Sequence, residues 1–87
     1  MSASDILREA ADIVDGARGQ THGDRHESFE MTAKFWSIYL GVPVTKSDVC
    51  YMLAQLKIVR NKCGKPIREH PMDGAGYMAL GGEMDGG

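Results

Sequence analysis

Val49-Cys50-Tyr51-Met52-Leu53-Ala54-Gln55-Leu56-Lys57-Ile58-Val59-Arg60-Asn61-Lys62-Cys63 is the stretch on which the fold turns. Read as one α-helix, it sets Val49, Met52, Leu53, Leu56 and Cys63 at the alternating three- and four-residue spacing of a single apolar stripe. Arg60 falls inside that stripe. At about 100° per residue it projects between Val49 and Leu53, with Lys57 about 60° to the side. An unpaired ion in a low-dielectric interior costs several kcal/mol, so two inward cations require an anion, either a carboxylate of this chain or a bound phosphate.

Three further helices are predicted around this one. The first begins near Ser2 or Ser4, with Asp5 in its first turn. Ile6, Leu7, Ala10, Ile13, Val14 and Ala17 form its apolar face, and Gly16 and Gly19 end it. A polar segment, 18–26, follows; its Gly23-Asp24 pair suits a turn with Asp24 as N-cap. The second helix runs from about Arg25 to Leu40 and buries Phe29, Ala33, Trp36 and Leu40. Met31, Phe35 and Ile38 line a second apolar side, which leaves a narrow polar arc of Glu27, Glu30, Lys34 and Ser37. Gly41 and Pro43 close it, Thr45 or Ser47 with Asp48 opens the third helix, and Gly64-Lys65-Pro66 breaks the chain again. The last helix is predicted from Pro71 to the Gly81-Gly82 pair, with a frayed tail over 83–87.

These elements make an all-α, compact bundle of four helices in a single domain over 1–87. At 87 residues such a chain buries only about 60 to 65 % of the surface its unfolded form exposes. Self-association through the second side of helix 2 is the expected remedy, giving a homo-oligomer, dimer or higher. The net charge of −2 disfavours bulk nucleic-acid binding. No apolar run reaches the roughly 18 to 20 residues of a membrane span, and the N-terminus lacks a secretory profile, so a cytoplasmic protein is expected. Cys50 and Cys63, about 20 Å apart along one helix, are expected as reduced thiols.

Asp73, Gly76, Tyr77 and Leu80 share one face of the last helix, which makes Asp73 the expected partner of Arg60 or Lys57. Gly76 marks a place where a backbone or ligand comes close. Basic residues collect in three places: Arg18, His22, Arg25 and His26 around the first loop, Lys57 and Arg60 on helix 3, and Lys65, Arg68 and His70 in the second loop. All suit phosphate groups. Tyr77 is the aromatic best placed to stack on a base, whereas Trp36 reads as core. The His22 to His26 spacing lacks a third zinc ligand, and there is no Ser-His-Asp or Cys-His nucleophile arrangement.

The order Thr21-His22-Gly23-Asp24, Ser28-Phe29-Glu30, Phe35-Trp36-Ser37-Ile38-Tyr39-Leu40-Gly41, Leu56-Lys57-Ile58-Val59-Arg60 and Asp73-Gly74-Ala75-Gly76-Tyr77, with Glu83, resembles a family of small phage and prophage proteins. In that family the first motif usually ends Tyr-Gly-Asp, so His22 is a departure. More remotely, the arrangement is similar to the MazG-type all-α NTP pyrophosphohydrolases, oligomeric bundles that hold Mg²⁺ between acidic residues of two helices. The metal set this resemblance implies is Glu27, Glu30 and Asp73, short of the paired acids of that pattern. Mg²⁺ needs several converging oxygen ligands. The resemblance, with the short metal set, implies first a phage-encoded protein that sequesters a phosphorylated nucleotide, such as a host anti-phage defence signal, without a cofactor and without cleaving it. The expected ligand-binding residues are His22, Asp24, Arg25, His26, Lys57, Arg60, Asp73 and Tyr77. The alternatives are a Mg²⁺-dependent pyrophosphohydrolase and a module that binds a host protein.

Overall fold

Local capping chemistry sets the start of three of the four helices. In the computed structural model, which describes residues 2–16 and 24–86, they are α1 (Ala3–Asp15), α2 (Arg25–Leu40), α3 (Lys46–Cys63) and α4 (Glu69–Met84). Ser2 and Asp5 form a reciprocal capping box at the start of α1, and Thr45 and Asp48 form another at α3. Asp24 caps α2 by accepting from the amides of His26 and Glu27. Gly41 ends α2 at φ 73, a left-handed conformation that suits glycine. The turn that follows is held by Ser37, whose hydroxyl donates to Ala33 O and accepts from the Val44 amide at 2.8 Å.

The last helix departs from expectation at both ends. It starts at Glu69, so Pro71 lies inside the first turn, where its missing N–H would have no helical partner. It then runs through Gly81-Gly82 to Met84. The expected frayed tail is instead tied at Glu83, to Arg25, and at Asp85, to Tyr51.

Central in the bundle, α4 packs most extensively on α3 and also takes α1, while α2 packs on α3. The α3 face turned inward carries Ser47, Cys50, Ala54 and Lys57, at i, i+3, i+7 and i+10. This face is rotated by roughly 130° from the stripe of larger apolar residues. Val49 is fully buried, yet Met52 and Leu56 are 39 % and 40 % exposed, and Arg60 lies on the exposed side. The inward cation is therefore Lys57, not Arg60. Small side chains, Ser47, Cys50 and Ala54, occupy buried positions of this face, and they let the neighbouring helix approach closely.

Gly81 shows how close that approach is. A Cβ built there would sit 2.3 Å from the Tyr51 ring, so the ring lies directly on the α4 backbone. Gly76, by contrast, faces Val14 of α1 at an ordinary 3.5 Å and accommodates a methyl group. The buried apolar core is correspondingly small: Ala10, Ala33, Val49, Cys50, Ala54 and Met72. Among these, burial pushes the Cys50 thiol up to about 11, with the nearby Asp85 charge adding to it.

Candidate functional site: a groove between α3 and α4

Beside the small-residue contact, α3, α4 and the turn between them line an open groove of about 890 Å³. Tyr51, Ile58, Pro66, Pro71 and Met78 give it apolar walls, and Lys57, Lys62 and His70 bring cationic or ionisable groups to it. Residues i and i+7 of α3 supply its long wall through Tyr51 and Ile58, and Gly74 lies opposite, where a Cβ would meet Lys57 Cβ at an ordinary 3.8 Å.

Two polar features distinguish this groove. Lys57 Nζ lies 3.2 Å from Asp73 Oδ2, with both side chains only 15 % exposed. An ammonium carries three donors, so this pair leaves two for an incoming anion. His70 is the second feature. Its ring lines the groove, while its Nδ1 is buried without a hydrogen-bond partner among the described residues, a costly state for a polar atom.

A second polar cluster lies across the bundle. Arg25, in the first turn of α2, donates Nε and Nη2 to the two Glu83 oxygens at 3.0 and 2.9 Å, and Nη1 to Val14 O at 2.9 Å. His26 Nε2 lies 3.1 Å from Glu83 Oε2. The Arg25 guanidinium holds the Glu83 carboxyl below the usual carboxylate range, with His26 adding to the effect. One arginine thus joins the end of α1, the start of α2 and the end of α4. At a third place, the Tyr51 hydroxyl donates to Asp85 Oδ2 at 2.7 Å. Hydroxyls of Ser47 and Tyr51 hold the Asp85 carboxyl below its ordinary value, and the same bond pushes the Tyr51 phenol up.

The predicted site residues therefore separate. Lys57 and Asp73 come together at the groove. Arg25 and His26 are engaged by Glu83, and Asp24 is a helix cap. Tyr77 is half-buried on α4 and does not line the groove, and Arg60 is exposed outside its lining. His22, with Arg18, lies outside the described residues. Glu27 and Glu30 are exposed on α2, and no group of three or more His, Cys, Asp or Glu residues is placed to hold a metal ion among the described residues. Sequence reasoning passed over Lys62 and Met78 as groove residues, because nothing local marks where a cleft opens between two helices.

Fold and groove together define a small all-α domain whose two most closely packed helices part to form a lysine-edged cleft. It belongs to a family with phage members: residues 5–85 match the model described as Domain of unknown function (DUF6378). The Gene 55 protein of Mycobacterium phage L5 is 38 % identical over 76 residues, which cover 86 % of this chain and 49 % of that protein. The Gene 55 protein of Mycobacterium phage D29 is 33 % identical over 72 residues, 83 % of this chain and 48 % of that protein. The chain spans about half the length of these curated relatives. No solved structure matches it. No helix among the described residues is long and apolar enough to cross a membrane.

Proposed function

We propose that the chain is a phage-encoded nucleotide-binding protein that takes a phosphorylated nucleotide into the groove between α3 and α4 and holds it uncleaved. One observation carries this reading: Lys57, Lys62 and His70 meet at an apolar-walled cleft of about 890 Å³, within the range of roughly 300 to 1,000 Å³ typical of small-molecule sites. Phosphate oxygens take the free donors of Lys57 and Lys62, each charge-assisted bond adding about 1.5 to 3 kcal/mol. The base lies against the apolar wall, where Tyr51 offers an aromatic surface. Phosphate charge is met by side chains in this reading, so binding needs no Mg²⁺. For a phage, such a module is useful when the nucleotide is a signal of host defence.

The test is recovery of the ligand. The protein is incubated with a panel of mono-, di-, tri- and cyclic oligonucleotides in Mg²⁺ or in EDTA, separated from free ligand, and heat-denatured. Intact release of a nucleotide in both conditions is the expected result. Release of pyrophosphate in Mg²⁺ would instead support a Mg²⁺-dependent pyrophosphohydrolase. Recovery of nothing from the panel would contradict both.

A further inference from the structure

The charge that the groove can neutralise limits the kind of nucleotide it takes. Lys57 and Lys62 supply the lysine charge of its lining, and among the described residues no Asp or Glu lines it. The two lysines are not equivalent. Lys57 Nζ already meets Asp73 Oδ2 at 3.2 Å, with both side chains 15 % exposed, so this ammonium has hydrogen bonds left to donate but its charge is cancelled. Lys62 is exposed in the last turn of α3 and has no carboxylate partner among the described residues. Neighbouring cations do not change this balance. Arg68, at the same end of the groove, pairs with Glu9 of α1, and Lys65 and Glu69 carry opposite charges outside the lining. The groove therefore offers one uncompensated lysine.

Resting on the nucleotide reading above, we infer that the groove prefers nucleotides whose phosphate is a diester and discriminates against polyphosphate chains. A diester carries one negative charge per phosphate. Lys62 neutralises that charge, and Lys57 adds the donors that Asp73 leaves over. In a polyphosphate every phosphate adds charge, and the terminal group alone carries about −1.5 to −2 at neutral pH. Tyr51, Ile58, Pro66, Pro71 and Met78 make the walls apolar, so the excess would lose water without gaining a partner, a costly exchange. Asp73 sharpens the preference, because a dense anion drawn to Lys57 also meets the carboxylate held beside it. Base and phosphate have separate places in this arrangement. Tyr51 and Lys62 stand eleven residues apart on α3, about 16 Å along its axis, so the aromatic surface and the uncompensated charge lie at opposite ends of the groove.

Equilibrium dialysis in EDTA at pH 8, above the ordinary imidazole value of about 6.5, tests the inference. The probes are the 3′,5′-cyclic monophosphate and the 5′-triphosphate of each common ribonucleoside, with cyclic di-AMP and cyclic di-GMP, against the parent and Lys62→Gln. Lys62 is exposed, so the variant should keep the parent's circular dichroism. For at least one base a cyclic phosphodiester should bind the parent at least about tenfold more tightly than the triphosphate, and Lys62→Gln should lose about tenfold for that diester, the effect of one charge-assisted contact. A triphosphate that binds within tenfold of the best diester, or more tightly, would overturn the inference and leave the nucleotide reading standing, as would a Lys62→Gln variant with the parent's affinity. Binding of no probe would overturn the inference and count against the nucleotide reading as well.

Discussion

Lys57 and Asp73 form the ion pair that joins α3 to α4 beside the groove, 3.2 Å apart with each side chain 15 % exposed. Asp73→Ala strips a carboxylate from a largely desolvated ammonium and should cost about 1 to 3 kcal/mol, between the values for exposed and buried pairs. Arg60→Ala removes an exposed side chain and should stay within about 0.5 kcal/mol of the parent. Thermal unfolding of the two variants checks this, with Asp73→Ala melting several degrees lower. Equal melting temperatures would place the inward charge wrongly.

Glycine substitutions separate packing from helix propensity. At Gly81 a methyl group would overlap the Tyr51 ring at 2.3 Å, so Gly81→Ala should destabilise by about 1 to 3 kcal/mol through overpacking. At Gly76 the nearest atom, Val14 Cγ2, is 3.5 Å away, and Gly76→Ala should be neutral or stabilising by up to about 1 kcal/mol, the helix-propensity gain. Urea denaturation of both variants measures the contrast. Destabilisation by Gly76→Ala would show that α1 lies closer to α4 than described.

Much of this architecture was legible in the sequence where the physics is local. Ser2, Asp24 and Thr45 start three helices, and Gly16, Gly41 and Gly64 follow the ends of α1, α2 and α3, because caps and glycine turns are decided within four residues. The α3 face was misjudged because periodicity weighs large apolar residues, whereas Ser47, Cys50 and Ala54 are among the buried positions of α3. That error placed Arg60 inside and made Lys57 secondary. The continuation of α4 past Gly81-Gly82 depends on partners 58 and 34 residues distant, Arg25 for Glu83 and Tyr51 for Asp85, which no local pattern announces. The groove shared this difficulty: Lys57 was visible, while Lys62 and most of the walls were not.

Acid should weaken the tie between α2 and α4. Glu83 is held below the usual carboxylate range by Arg25, so its contribution to stability is present above the unfolded carboxylate value of about 4.3 and is lost as pH falls through the lower folded value. Arg25 and Glu83 side chains are 34 % and 39 % exposed, and solvent screening limits their pair to about 0.5 to 1 kcal/mol. The stability gap between the parent and Arg25→Ala, measured by urea denaturation at neutral pH and again near pH 3, should narrow in acid. A gap that widens would reverse the sign of this argument.

The two thiols should differ sharply in reactivity. Cys63 is exposed, whereas Cys50 is fully buried and its thiol is pushed up to about 11, leaving little thiolate at neutral pH. Titration with a chromogenic disulfide should count one fast thiol in native protein and two in denaturant. Two fast thiols in the native protein would show that the contact between α3 and α4 opens readily.

Equilibrium dialysis of labelled nucleotides against the parent and Met78→Trp tests the groove most directly. Met78 lines the groove and is 55 % exposed, so an indole there fills the cleft without entering the core. The account predicts that at least one phosphorylated nucleotide binds the parent and that Met78→Trp, folded by circular dichroism, loses at least about tenfold in affinity, or roughly 1.4 kcal/mol. A Met78→Trp variant that binds as the parent does would contradict it.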